Sequence, residues 1–167
     1  MTYASEILGH YIIREVELLQ MKFLKHVLFV HKNTSTDMVF GELGVYPVEV
    51  YIKCKTIGFW LQIISGKQSK LSYLMYKCLL ELDMNGVYTS PWIKYVKGII
   101  NDCRMSSVWL TQNVNNTNWF KKKIESILKD QWITWWNSNL RNKSICSTYR
   151  MYREVYGMEK YLVKLQE

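Results

Sequence analysis

Turn-forming residues are scarce in this sequence, which has 2 prolines and 8 glycines among 167 residues. A β-protein with many tight turns needs more of both, so their scarcity favours helices. Long apolar runs are missing too, because Lys22 and Lys25 interrupt the longest apolar segment, from about residue 12 to residue 30. A membrane-spanning helix needs a longer uncharged stretch, and we therefore expect no membrane partner.

Closely spaced cysteine pairs are absent. Short spacings are typical of zinc and redox motifs, whereas the four cysteines here are spread over more than half of the chain: Cys54, Cys78, Cys103 and Cys146. We interpret them as reduced thiols, mostly on buried helix faces. Charged residues such as Glu6 and Arg14 also interrupt the N-terminal segment, where a signal peptide would be apolar. The sequence thus predicts an intracellular protein and leaves nucleus and cytoplasm open.

Recognisable catalytic patterns are also lacking. Metal-dependent phosphoryl transfer needs neighbouring carboxylates, but the aspartates stand alone: Asp37, Asp83, Asp102 and Asp130. No glycine-rich phosphate loop occurs, and His26 and His31 have no cysteine or acidic cluster nearby. We therefore expect no enzyme activity, cofactor, bound metal or small-molecule substrate, while a Cys–His pair without a local signature stays open.

Apolar residues, by contrast, make up 49% of the chain, enough for a core without disulfides. They recur at three- and four-residue steps, which predicts an all-α fold of about six to seven helices with no substantial sheet. We expect one domain over residues 1–167. Its parts are a first helix within 1–32, central helices within 36–112 and basic helices within 118–167.

The individual helices follow from apolar spacing and capping residues. A first stripe comprises Ile12, Val16, Leu19, Phe23, Val27 and Val30. A helix from Pro47 to about Ser65 is apolar on several sides, which predicts the buried central element. A stripe after Ser69 comprises Leu71, Leu74, Met75, Cys78, Leu79 and Leu82. Ser90 and Pro91 are a strong helix start, Asn118 is expected to cap a long helix, and a last helix is expected from about Ser147 to Tyr156.

Positive charge is abundant and unevenly distributed. The net formal charge is +8, with −2 in residues 1–49 and +10 in residues 50–167. Such an excess favours an anionic partner, of which nucleic acid is the commonest. Lys121, Lys122 and Lys123, reinforced by Lys129, are candidate phosphate contacts on the long helix. A solvated helix face is the alternative.

A second basic segment lies towards the C-terminus and contains Arg141, Lys143, Arg150 and Arg153. Arginine can bind a phosphate through two parallel hydrogen bonds. The tyrosines between and after these residues, Tyr149, Tyr152 and Tyr156, are expected on one helix face, where they could stack on unpaired bases. The alternative is that they pack on the core. Core or interface anchoring is the simpler role for Trp132, Trp135 and Trp136.

Several segments, in order along the chain, carry a family resemblance. Residues 40–47 contain Gly41, Glu42, Leu43, Gly44 and Pro47, similar to a "GELG..P" stretch. Residues 3–9 resemble "YGSEIWG", with Ala4 and Leu8 as departures, and residues 22–25 resemble "KFCK". Phe59-Trp60, residues 148–150 and Tyr161-Leu162 fit the same layout. The whole resembles the region after the polymerase domain in LINE-type (non-LTR) retrotransposon reverse transcriptases.

The resemblance implies a thumb-like helix in residues 1–32 and post-thumb helices that face nucleic acid. RNA or an RNA–DNA duplex would be the partner, with an upstream polymerase domain as a further one. The family's catalytic aspartate motif precedes the similar region and does not occur in this chain, which implies a non-catalytic nucleic-acid-binding remnant. The motif residues from Gly41 to Pro47 are expected to be structural, as a helix stop and a helix start. The alternatives are a helical protein-interaction module and a functionally inert retroelement fragment.

Overall fold

The computed structural model describes residues 4–153, 155–159 and 162, except for the side chains of His10 and Ile12. Within this range the helices are α1 (Ser5–Val27), α2 (Thr36–Leu43), α3 (Val48–Ile64), α4 (Leu71–Met84), α5 (Pro91–Asp102), α6 (Ser106–Thr111), α7 (Thr117–Asn142) and α8 (Ser147–Tyr152), with a 3₁₀ turn at Ser144–Cys146. Extended pairing in the described residues is limited to an isolated bridge between Leu43 and Met158. The all-α prediction is confirmed.

Capping explains several helix boundaries. The Ser90 Oγ accepts a hydrogen bond from the Ile93 N–H at 3.2 Å, and Pro91 takes the first helical position of α5, as predicted. For α7 the capping side chain is Asn116, whose Oδ1 accepts from the Trp119 N–H at 2.9 Å. The prediction that Asn118 caps this helix is therefore wrong by two residues.

Two short helices differ from the sequence-based expectation. Arg104 has a φ of 59° and ends α5, after which the six-residue α6 forms a separate helix that the sequence did not predict. Six residues are too few for a periodic pattern to be recognised. The last predicted helix is also too long, because α8 ends at Tyr152 and Arg153 is extended. Tyr149, Tyr152 and Tyr156 therefore do not share one helix face.

The chain divides into two compact units that are each discontinuous in sequence. Unit 1 comprises Met1–Ile12 and Tyr51–Ile127, and unit 2 comprises Ile13–Val50 and Leu128–Glu167. The helices α1, α3 and α7 contribute residues to both units. The proposal of one domain over residues 1–167 stays a prediction.

The core of unit 1 is built around α3 and α5. Trp60 of α3 is fully buried, and its ring centroid lies 6.2 Å from that of Trp109 and 6.3 Å from that of Phe120. The inward face of α5 supplies Ile93, Val96, Ile99 and Ile100. The prediction that α3 carries a buried central segment agrees with the burial of Ile52, Ile57, Trp60 and Leu61. Large aromatic and branched side chains thus provide most of the buried apolar area.

The α4 helix contributes little to that core. Within α4, all of which the structure describes, only Tyr76 is buried, and its hydroxyl accepts a hydrogen bond from the Trp60 indole N–H at 2.9 Å. The predicted apolar stripe lies on another side of the helix, where Leu71, Leu74 and Met75 are exposed. The helix was predicted correctly, but the expectation that this stripe faces the core is wrong.

Unit 2 has two clusters of buried side chains. One comprises Leu24 from α1 with Val39, Phe40 and Leu43 from α2. The other comprises Trp136 and Leu140 from α7 with Cys146. Trp132 packs against both clusters. The tryptophans of α7 accordingly differ in environment, since Trp136 is fully buried and Trp135 is half exposed.

The face of α1 that packs in unit 2 also differs from the predicted one. Leu24 is buried, whereas Leu19, Phe23 and Val27 of the predicted stripe are exposed. A helix N-terminus needs acceptors for its first amides, and α1 supplies them to α3. Glu17 accepts from the Glu49 N–H at 2.8 Å, and the Gln20 side chain accepts from the Val48 N–H at 3.1 Å. These polar contacts orient the helix and leave Leu19, Phe23 and Val27 in solvent.

Among the described residues, no helix combines the length and the apolar character that a membrane crossing requires.

Candidate nucleic-acid interface

Three of the predicted arginines line one pocket in unit 2. Its volume is about 370 Å³, and its walls are Asn137, Leu140, Arg141, Arg150 and Arg153. Asn137 and Arg141 lie four residues apart on the last turns of α7, so both face the same side. None of these five residues is acidic. A pocket with several guanidinium groups and no carboxylate among its described lining residues is suited to a phosphate.

The arginines differ in how far their hydrogen-bonding capacity is already used. Arg150 is exposed and donates to the Arg141 backbone carbonyl at 3.3 Å. Arg141 is exposed at the C-terminal turn of α7. The Arg153 side chain is only 10% exposed and forms an ion pair with Glu159. Arg141 and Arg150 therefore have the most hydrogen-bonding groups left for a ligand, whereas the Arg153 side chain is held in place by its own contacts.

Arg153 links the pocket to the "GELG" segment. Its guanidinium donates to the Gly41 carbonyl at 2.7 Å and to the Gly157 carbonyl, while its buried Nε has no hydrogen-bond partner among the described residues. The Glu159 N–H donates to the Glu42 carbonyl at 3.1 Å beside the Leu43–Met158 bridge. The end of α2 and the segment after α8 are thus held together by backbone and arginine hydrogen bonds.

The glycines of this segment have separate structural roles. Gly44 ends α2 in the left-handed conformation, with a φ of 60°. A Cβ atom on Gly41 would lie 2.6 Å from the Tyr149 hydroxyl and 2.7 Å from the Trp136 ring. The predicted helix stop is therefore found at Gly44, and α3 begins directly after Pro47. Gly41 adds a close approach that the sequence did not reveal.

The tyrosines near the pocket have different environments. Tyr149 is half-buried, its hydroxyl donates to the Met38 carbonyl at 3.4 Å, and burial together with the Glu42 carboxylate raises its pKa. Tyr156 packs with its ring centroid 5.0 Å from that of Trp136. Tyr152 is 86% exposed. The alternative of core packing therefore holds for Tyr149 and Tyr156, and Tyr152 alone is accessible for stacking.

Two predicted lysines contact other groups of unit 2. The Lys143 ammonium forms an ion pair with the Asp37 carboxylate, which is 1% exposed. A buried carboxylate needs a partner charge, so Lys143 has a structural role. The Lys129 ammonium lies 5.4 Å from the centroid of the Tyr46 ring, a cation–π contact. Neither lysine lines the arginine pocket.

The predicted lysine cluster lies in unit 1. Lys121, Lys122 and Lys123 are all exposed on the first turns of α7. Lys121 also lines a pocket of about 260 Å³ together with Lys55, Glu6, Gly58, Phe59 and Gln62. The structure therefore places the predicted basic residues in two groups, one in each unit.

The remaining candidate residues form no recognisable site. Within the described part of the chain, no group of three or more His, Cys, Asp or Glu residues is close enough to hold a metal ion. The His31 Nδ1 accepts from the Asn33 N–H at 3.2 Å. The four cysteines all lie in the described part of the chain and form no disulfide: Cys103 and Cys146 are buried, Cys54 is half-buried and Cys78 is exposed. The expectation of a buried helix face therefore fails for Cys78.

The sequence analysis identified the arginines but missed Asn137 and Leu140. The four-residue spacing between Asn137 and Arg141 could have suggested Asn137. Of the family-like segments, Tyr3 and Tyr161 lie outside the described residues. A comparison with protein-family models, with curated proteins and with solved structures found no match to this chain.

Proposed function

We propose that this chain is a non-catalytic nucleic-acid-binding protein and that its arginine pocket binds a backbone phosphate of RNA or of an RNA–DNA duplex. The observation that carries the proposal is the convergence of Arg141, Arg150 and Arg153 on one pocket whose described lining residues include no acid. The net charge of +8 and the resemblance to the post-polymerase region of LINE-type reverse transcriptases support the same partner.

The exposed lysines of unit 1 form the second part of the proposal. Lys121, Lys122 and Lys123 lie in the second turn of α7 and are all exposed. Flexible lysines contact phosphates as point charges, so they contribute affinity without sequence preference. Binding is therefore expected to be steeply salt-dependent and nearly independent of base sequence.

Fluorescence anisotropy with labelled single-stranded RNA, RNA–DNA duplex and DNA duplex, at a series of salt concentrations, tests the arginine pocket. Arg141→Gln combined with Arg150→Gln removes two charge-assisted hydrogen-bonding groups. We expect at least about a tenfold loss of affinity, and a salt slope lower by about 0.7–0.9 for each phosphate that is no longer neutralised. Arg14→Gln combined with Lys32→Gln is the matched control, because both are exposed basic residues of unit 2 outside the pocket and the change in net charge is the same.

Substitution of Lys121, Lys122 and Lys123 by Glu tests the second group. Affinity should fall for every sequence tested, because phosphate contacts carry no base information. The control replaces three dispersed exposed lysines, Lys32, Lys77 and Lys94, by Glu, which gives the same change in net charge. Equal losses of affinity in both triple variants would show that only the net charge matters, and the lysine cluster would then not be part of the binding site.

For the arginine pocket, an unchanged affinity of the Arg141→Gln, Arg150→Gln variant would exclude phosphate binding there.

The non-catalytic part is tested by incubating the chain with a primer–template, Mg²⁺ and deoxynucleotides. No extension of the primer is expected, and extension would overturn this part alone.

A further inference from the structure

The α4 helix presents an apolar surface to solvent. We define the α4 stripe as Leu71, Leu74, Met75, Cys78 and Leu82, all of which are exposed. Leu71 is 72% and Met75 59% exposed, while the opposite side of the helix is fixed by Tyr76, which is 4% exposed. Several large apolar side chains on one helix face are an uncommon feature of a solvated surface and indicate an interaction site.

The spacing of this surface fits another helix. Leu71, Met75, Cys78 and Leu82 follow one another at steps of four, three and four residues. This is the repeat by which two helices pack side by side with interlocking side chains. The α4 helix has 14 residues, which gives a contact about 21 Å long.

The charges beside the stripe indicate what the second helix is. The exposed Lys70 precedes the first turn of α4, and the exposed Glu81 lies in its last turn. When two copies of α4 run antiparallel, the Lys70 end of each helix meets the Glu81 end of the other. When they run parallel, like charges meet. The charges at the two ends of α4 therefore complement an antiparallel copy of the same helix, in which the exposed Lys77 near the middle lies close to its own copy.

We propose that two copies of this chain associate through the α4 stripes in an antiparallel arrangement about a twofold axis. In this register Leu71 lies opposite the partner's Leu82, and Met75 lies opposite the partner's Cys78. Such an isologous contact closes on itself and gives a dimer. A single helix pair is at the small end of specific interfaces, so the dissociation constant is expected in the micromolar range. The proposal is independent of nucleic-acid binding.

Sedimentation velocity of the full chain over a range of concentrations tests the proposal. The chain should pass from monomer to dimer as concentration rises. Met75→Glu places a charge in the apolar contact and should leave a monomer at all concentrations. Leu110→Glu is the control, because Leu110 is 71% exposed on α6 and outside the stripe, and it should dimerise normally. Circular dichroism and thermal melting verify that both variants fold. A monomeric wild-type chain, or dimerisation unaffected by Met75→Glu, would overturn the proposal.

Charge reversal tests the antiparallel direction. Lys70→Glu and Glu81→Lys should each weaken the dimer several-fold, and the double variant should restore it, because the pair is then reversed as a whole. Neither single change should melt α4, since an acid at the N-terminal end and a base at the C-terminal end both favour the helix dipole. A dimer that is unaffected by either single change would exclude the antiparallel arrangement.

Discussion

The consecutive helices α4 and α5 have similar lengths, 14 and 12 residues, but they differ in whether their apolar face is buried. The inward face of α5 buries Ile93, Val96, Ile99 and Ile100. In α4 the apolar stripe remains in solvent, and Tyr76 is the buried contact. The two helices are joined by an ion pair of 3.1 Å between Asp83 and Lys97. An amphipathic pattern thus predicts a helix, and it does not by itself show what the apolar face contacts.

The reason for the difference is that α4 has two apolar faces. Tyr73, Tyr76 and Leu80 form one, and the α4 stripe forms the other. Only the first offers a hydroxyl that can accept from the buried Trp60 indole and donate to the Gln112 side chain. A buried indole N–H needs an acceptor, so the polar requirement of the core decides which face is buried.

The largest expected effect is on the core side of this comparison. Ile100 is fully buried in α5, so Ile100→Ala should lower the free energy of unfolding by about 2–5 kcal/mol. Leu74, half exposed in α4, should tolerate alanine within about 0.5 kcal/mol. Urea denaturation followed by tryptophan fluorescence at low protein concentration measures both. Similar losses for the two variants would show that the α4 stripe is buried in the monomer.

The cysteines give a second contrast between the two helices. Cys103 at the end of α5 is 4% exposed, and burial, together with the nearby Asp102, raises the pKa of its thiol to about 11. Cys78 of α4 is exposed. Because the thiolate is the reactive form, iodoacetamide should modify Cys78 at least about a hundredfold faster than Cys103. Mass spectrometry of the labelled peptides, at a concentration below dimerisation, measures the ratio. Comparable rates would contradict the difference in burial.

The sequence predicted those features of the fold that local interactions determine. Ser90 and Pro91 start α5 where expected, and Gly44 ends α2 because its left-handed conformation favours glycine. The prediction was wrong where non-local contacts decide the structure, as they do for the face of α1 that packs inward. The inward face of α1 depends on Glu17 and Gln20 meeting the first amides of α3, residues that are about 30 positions away.

In the candidate site, too, the sequence predicted the residue types, whereas distant contacts decide which residues come together. The sequence identified Arg141, Arg150 and Arg153 by residue type, but their convergence depends on α8 turning back towards the end of α7. The role of Lys143 could not be read from its neighbours, because its partner Asp37 is 106 positions away. Residue type was therefore sufficient to propose the chemistry of the site, and the fold decides which residues contribute.

The attachment of α4 to the core should weaken in alkali. Burial raises the pKa of Tyr76 to about 12, which outweighs the lowering effect of its hydrogen bonds with Trp60 and Gln112. The folded chain then holds the hydroxyl proton more tightly than the unfolded chain. The resulting contribution to the free energy of unfolding is fully present below pH 10 and is lost as the pH rises towards 12. The loss is about 2–3 kcal/mol at most. Urea denaturation from neutral to alkaline pH measures it. Tyr76→Phe should flatten the slope in this window, and an unchanged slope would exclude Tyr76 as its source.

The smallest expected effect concerns how the two helices begin. Ser90 caps α5 with a hydrogen bond to the Ile93 amide, so Ser90→Ala should cost about 1 kcal/mol of stability. Lys70 occupies the corresponding position of α4 and, in that fully described helix, makes no side-chain capping hydrogen bond. Lys70→Ala should therefore change the stability of the monomer by less than about 0.5 kcal/mol. Urea denaturation of both variants at low protein concentration measures the two changes in the free energy of unfolding. A loss at Lys70 equal to that at Ser90 would mean that the two helix starts are stabilised alike, and the contrast between α4 and α5 would then be confined to their apolar faces.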